Sequence, residues 1–129
     1  MNKRTIVSAI YYVTAVYDGV LGIMFLFAAP SLFAWFEVTP PNHYGYLHFA
    51  AALLISFALL YWAIARNPER NRNLMPYGML LKVSYCGVAF YHWFTAGIPG
   101  MWKPFAIIDL VFLVLFIWAY RAIPKREGV

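Results

Sequence analysis

Arg66-Asn67-Pro68-Glu69-Arg70-Asn71-Arg72-Asn73 is the longest polar interval in the chain, and apolar sequence flanks it on both sides. Pro68 and the three asparagines stop a helix there. Arg66, Arg70 and Arg72 place positive charge on a short connection between two long apolar segments, which is how a cytoplasmic loop of a membrane protein reads. The segment before the loop runs from Tyr44 to Ala65, and the one after it from about Met75 to Gly97.

Further out lie two more apolar runs. Lys3 and Arg4 precede the first, Thr5 to Ala29, which Pro30 ends. A signal peptide also starts with basic residues, but its hydrophobic region is only about 7–15 residues long. This run is longer and carries Asp18, so it reads as a retained first span. The fourth run goes from Trp102 to Ala122, behind a turn made by Gly97, Pro99 and Gly100. Each run is long enough to cross a hydrocarbon core of about 30 Å at about 1.5 Å per residue. Between the first two, residues 31–43 read as a loop stiffened by Pro40 and Pro41, with Trp35, Phe36 and Tyr44 at the height where aromatic rings anchor to headgroups. The expectation is one transmembrane domain over residues 1–129, with spans at about 5–29, 44–65, 75–97 and 102–122. Its fold class is all-α, an integral membrane four-helix bundle.

Composition excludes the alternatives. Hydrophobic residues make up 64% of the 129 residues and charged residues 12%, against roughly 25% charged in soluble domains. A soluble chain of this size could not hide that much apolar surface. Cys86 is the single cysteine, which rules out an internal disulfide and a CxxC redox pair. The net charge of +5 comes from short basic clusters between apolar runs, so it points to orientation in a lipid bilayer and not to a nucleic acid partner. Lys3, Arg4, Arg66, Arg70, Arg72, Arg121, Lys125 and Arg126 all fall on one side of a four-span arrangement. That bias puts both termini in the cytoplasm, N-in and C-in, and it argues against dual-topology four-span exporters, whose loops are nearly balanced. The matching localisation is the inner membrane of a bacterium.

Any chemistry lies in the ionisable residues within the spans, because a charge there is costly unless it meets a partner or water. These are Asp18, His48, Lys82 and Asp109, with His92 near a helix end. Tyr11, Thr14, Gly22, Phe25 and Ala29 lie within about 40° of Asp18 on the first helix, a face expected to look inward. Ala15 with Gly19, and Asp18 with Gly22, set small residues four apart and permit close helix approach. On the third span Lys82, Tyr85, Ala89, His92 and Ala96 share a side. The fourth carries a stripe of Trp102, Phe105, Asp109, Phe112, Phe116 and Tyr120, and the second lines up Tyr44, His48, Ala52, Ile55, Leu59 and Trp62.

Counting residues from the span ends puts Asp18 near the midplane and His48, His92 and Asp109 about 7–10 Å below the outer boundary. These four are expected to share an outer pocket. Lys82 either pairs with Asp18 or snorkels to the cytoplasm. Each also has a bland use: the carboxylates hydrogen-bond neighbouring helices, Cys86 packs as a small hydrophobe, and the histidines hydrogen-bond. His48 and His92 are at the same time candidate haem ligands, at matched depth on neighbouring antiparallel helices. No other metal site is expected.

Tyr17-Asp18-Gly19-Val20-Leu21-Gly22, Ala65-Arg66-Asn67-Pro68-Glu69-Arg70 and Asp109-Leu110-Val111-Phe112 together resemble small bacterial four-span membrane proteins of the broad DoxX-like type. The resemblance implies the four-span plan, and it implies quinone-linked oxidoreductase subunits as one use of such a chain. A similar plan with acidic residues facing an inner cavity occurs in sterol isomerase-like proteins; by that analogy Asp18 and Asp109 are the acids.

Three functional readings follow. The first is an accessory or ligand-binding subunit that meets other membrane proteins, or a second copy of itself, or holds an apolar ligand. The second is an enzyme acting on a lipid or quinone by acid/base chemistry, with Asp18 or Asp109 exchanging a proton. It requires the two aspartates to converge on one cavity. The third is a proton-coupled transporter of a small solute, which the lack of inverted repeats and broken helices disfavours. The ligand-binding or proton-handling candidates are Asp18, His48, Lys82, Tyr85, His92 and Asp109, and the cofactor candidates are haem and quinone.

Overall fold

The computed structural model describes residues 2–124. Lys125 and Arg126, counted above in the basic cluster, lie outside the described residues. Five helices make up the fold, and no strand occurs among the described residues: α1 (Lys3–Phe27), α2 (Ala29–Trp35), α3 (Tyr44–Arg66), α4 (Met75–Thr95) and α5 (Trp102–Ala122), with a 3₁₀ turn at Arg72–Leu74 ahead of α4. By length and composition α1, α3 and α5 are able to cross a membrane, the mark of an integral membrane protein. The expected third span, α4, has the same 21-residue length as α5. It is less uniformly apolar because Lys82 and His92 interrupt it.

Local chemistry sets the helix ends. The Asn2 side chain accepts a hydrogen bond from the Thr5 N–H at 2.8 Å, satisfying one of the donors that a helix start leaves free. Pro30 sits in the first turn of α2 and Pro76 in that of α4, where a missing N–H costs nothing. His43, read above as a loop residue, caps α3, its Nδ1 accepting from the Gly45 N–H at 2.9 Å. Beyond the end of α4, Gly97 adopts φ +82°, a left-handed conformation that glycine takes without strain. The stretch expected as a loop over 31–43 is half helical: Pro30 ends α1 but starts α2, which folds back so that Leu32 and Phe33 are buried.

Helix α1 packs most extensively on α3, and α4 on α5, while α1 touches α5 and α3 touches α4 over shorter stretches. Contact between α1 and α3 is close because the facing residues are small. A Cβ built on Gly22 would lie 2.8 Å from the Ala51 carbonyl oxygen, so the backbones meet there. Ala51, Ala58, Tyr61, Ile64 and Ala65 form the buried face of α3. That corrects the stripe read from the sequence: Ala52, Leu59 and Trp62 are exposed, because close approach to α1 selects the alanine face of α3 over the bulky one.

Two apolar clusters result. One joins Val7, Tyr11, Tyr61, Ile64, Met75 and Phe116, and the other Phe25, Ala29, Leu32, Phe33, Ala51 and Met101. In the first, the Tyr11 and Phe116 rings stack with centroids 4.6 Å apart.

At one end of the molecule the Arg66–Asn73 loop binds three helix ends. The Asn71 side-chain amide donates to the Ala63 carbonyl at 2.8 Å. Arg72 donates to the carbonyls of Tyr120, from Nε at 3.2 Å and from a terminal nitrogen at 3.0 Å, and of Ile123 at 2.7 Å, and its guanidinium lies 3.8 Å from the Tyr120 ring centroid. Carbonyls in the last turn of a helix lack intrahelical partners, and Arg72 supplies them for α5. Glu69 pairs with Arg4 at 2.8 Å across a solvent-exposed gap. The start of α1 and the ends of α3 and α5 therefore lie on the same side.

Candidate functional site

Between the two apolar clusters lies a layer of charge. The face that periodicity assigned to the interior is buried along α1, at Tyr11, Thr14, Asp18, Gly22 and Phe25; Ala29, expected on the same face, is buried as the first residue of α2. The Thr14 hydroxyl donates to the Ile10 carbonyl within its own helix, which leaves Asp18 as the polar group that points away from α1. It meets Lys82 of α4, whose ammonium is fully buried and lies 2.8 and 3.1 Å from the two Asp18 carboxylate oxygens. The same nitrogen lies 3.0 Å from Asp109 Oδ1 on α5. An ammonium has three N–H donors, and all three have partners here.

The lysine stem runs past aromatic rings. Lys82 Nζ is 5.6 Å from the Tyr61 ring centroid and 5.4 Å from that of Phe112, distances at which a cation gains from the ring quadrupole. The Tyr61 hydroxyl donates to the Gly78 carbonyl at 3.0 Å, which fixes that ring. Of the two uses read for Lys82, pairing with Asp18 is the one the structure adopts. Snorkelling is not: the ammonium turns inward, because two carboxylates offer it a better environment than the distant interface.

Beside this triad is a partly open cavity of about 210 Å³ lined by residues of α1, α3, α4 and α5. Asp18, Asp109 and Tyr85 are part of its wall; the remainder is apolar, including Phe25, Leu54, Trp102 and Phe105. The Tyr85 hydroxyl donates to the Trp102 carbonyl at 3.1 Å. Asp109 is the more open carboxylate, with 10% of its side chain exposed against 1% for Asp18. Among the described residues its second oxygen makes no hydrogen bond.

The histidines do not join them. His48 is half-buried and stacks on Tyr44, with centroids 5.9 Å apart, while His92 is exposed in the last turn of α4 beside Tyr91. Neither lines the cavity, so the outer pocket expected to unite His48, His92, Asp18 and Asp109 forms from the two aspartates alone. Depth counted along single helices placed His48, His92 and Asp109 at similar heights, with Asp18 deeper; the rotation of α3 and α4 turns both imidazoles away. The haem-ligand assignment thus loses the shared site it relied on. Cys86 is buried, with Sγ 3.8 Å from the Ala106 carbonyl oxygen, which agrees with its use as a small packing residue.

Two carboxylates against one ammonium leave one negative charge without a partner. Inside a membrane that imbalance is costly, and either a proton or a hydrogen-bond donor delivered by a ligand relieves it. Arranged beside an apolar hollow, the triad can grip the polar end of an apolar molecule or move a proton to and from it. No family model, curated protein or solved structure matches this chain.

Proposed function

We propose that this protein is a four-helix bundle of the bacterial inner membrane, with α1, α3, α4 and α5 as its spans and both termini cytoplasmic, and that it binds a small apolar molecule with a polar end. It serves as an accessory or ligand-binding subunit of the DoxX-like kind. The observation that carries this reading is the cavity of about 210 Å³, apolar over most of its wall, with two carboxylates and no histidine at its polar edge. Ligand sites combine apolar walls with a few placed polar groups in this way. The orientation is supported by the basic residues of the Arg66–Asn73 loop and of the N-terminus, which sit on one side.

A specific observation favours a second reading, acid/base chemistry on a lipid or quinone. Asp18 and Asp109 touch the same lysine nitrogen, at 2.8 and 3.0 Å, and face the same cavity, the convergence such an enzyme requires.

Mass spectrometry of the organic extract of detergent-purified protein tests the proposal, alongside Asp109→Leu. The expected result is an apolar molecule near one per chain that the variant loses. An extract that matches bulk membrane lipid in both proteins refutes ligand binding. An absorption spectrum of the same sample, oxidised and reduced, checks haem: a Soret band lost in His48→Ala or His92→Ala replaces this proposal with an electron-transfer subunit.

A further inference from the structure

A second apolar hollow adjoins the cavity on its outer side. It is a groove of about 750 Å³ along α1, closed at one end by α2 and flanked by Phe105 of α5. Leu21, Phe25 and Phe105 belong to the walls of both hollows. Three side chains therefore stand between the groove and the cavity, at the seam where α1 and α5 make less contact than α1 and α3 do.

Size and chemistry divide the two spaces. A void of about 150 Å³ holds benzene, so the inner cavity of about 210 Å³ takes one substituted ring and no long chain. The groove is more than three times larger, and Val16, Val20, Leu32 and Trp35 among its lining offer a chain only apolar contact. The polar edge of the cavity is made of acceptors. Lys82 spends its three donors on Asp18 and Asp109, and Tyr85 spends its own on the Trp102 carbonyl. What remains is the free lone pairs of Asp109.

We propose that cavity and groove form one site for a single-tailed amphiphile. Its ring-sized head donates a hydrogen bond to Asp109, and its tail passes between Leu21, Phe25 and Phe105 to lie in the groove beneath α2. This rests on the ligand-binding reading of the preceding section. A head that only accepts hydrogen bonds, such as an oxidised quinone, meets no free donor in the cavity wall, the unpartnered Tyr17 hydroxyl belonging to the wall of the groove, whereas a phenol, a hydroquinone or an amine can donate to Asp109.

The test is photolabelling of the full chain in lipid nanodiscs with two probes: 4-decylphenol carrying a diazirine at the tail end, and a phenol carrying the diazirine on the ring. The tailed probe is expected to label α1 and α2 at Val16, Val20 and Trp35. That label should fall about tenfold in Asp109→Leu and for the methyl ether of the probe, each of which removes one hydrogen bond to a charged group. Val20→Trp fills the groove at a position 51% exposed, so it leaves the core intact and should also suppress the tail label. Competition by benzyl alcohol or by benzylamine tells a neutral head from a cationic one. If the ring probe labels Leu54 and Trp102 in an Asp109-dependent way but the tail label spreads evenly over lipid-facing residues such as Tyr77 and Val88, the composite site is refuted and the cavity reading stands. If neither probe depends on Asp109, both are refuted.

Discussion

Lys82→Met removes the one cation from a buried layer that then holds two carboxylates side by side. The lysine is fully buried, Asp18 and Asp109 reach its nitrogen at 2.8 and 3.0 Å, and their side chains are only 1% and 10% exposed, so the ammonium is the main compensation of both acids. Removing one partner of a buried ion pair costs about 3–5 kcal/mol, because the remaining charge keeps its desolvation penalty and loses its compensation. For a chain of this length that corresponds to a melting temperature lower by roughly 10–20 °C. Cys86 supplies the assay. It is the single cysteine, buried one turn from Lys82, and a thiol-reactive fluorophore reports its exposure as the detergent-solubilised protein is heated. Lys82→Met/Asp18→Leu/Asp109→Leu removes all three charges and should recover most of the loss, since apolar replacement of a whole buried ionic group is often neutral or stabilising. A single variant that melts within about 3 °C of the parent, a shift worth only about 1 kcal/mol, or a triple variant no better than the single, refutes the claim that the layer is held by charge compensation.

Three further contacts are tested by substitution with the same thermal assay. Arg72→Ala uncaps the end of α5 by removing the donors to Tyr120 and Ile123; it should cost about 1–3 kcal/mol and speed amide exchange in the final turn, with Arg72→Lys restoring little of the loss because an ammonium lacks the planar fork. Gly22→Ala drives a methyl group against the Ala51 carbonyl and should destabilise by about 1–3 kcal/mol, whereas Gly87→Ala, with nothing within 4 Å of the new methyl, should stabilise by about 0.5–1 kcal/mol; equal effects would disprove the close α1–α3 approach. Arg4→Ala breaks an ion pair whose side chains are 50% and 34% exposed and should change stability by under about 1 kcal/mol, with a larger loss showing that the N-terminus is held more firmly than the contact implies.

The inward face of α1 was legible because Asp18 and Thr14 share a side with tyrosine, glycine and phenylalanine, a contrast that a 3.6-residue period exposes. The stripe on α5 around Asp109 was legible for the same reason. On α3 it was not. That helix is apolar all round, so periodicity has little to work on, and its buried face is chosen by the small residues that let α1 come near. Lys82 carried two readings in the sequence because its stem is long enough for either, and the decision depends on carboxylates 64 and 27 residues away. His48 and His92 were misjudged because depth says how far along a helix a residue lies and nothing about which way it points. The short α2 was hidden among prolines, where the same residue that stops one helix starts the next.

Arg72 has a consequence for how such a chain could be turned over in the bilayer. Orientation depends on the number of basic residues in a loop, and for that count lysine and arginine are equivalent. The α5 latch is not indifferent: it takes a guanidinium that reaches two carbonyls and lies on the Tyr120 ring. Moving the arginine to the opposite side to invert the topology would therefore also unfasten the last helix from the loop. In biogenesis the latch closes only after α5 has been made and inserted, since its acceptors lie 48 and 51 residues downstream. On the proposed four-span orientation, the charge that would orient α3 and α4 early is the same one that later fastens α5.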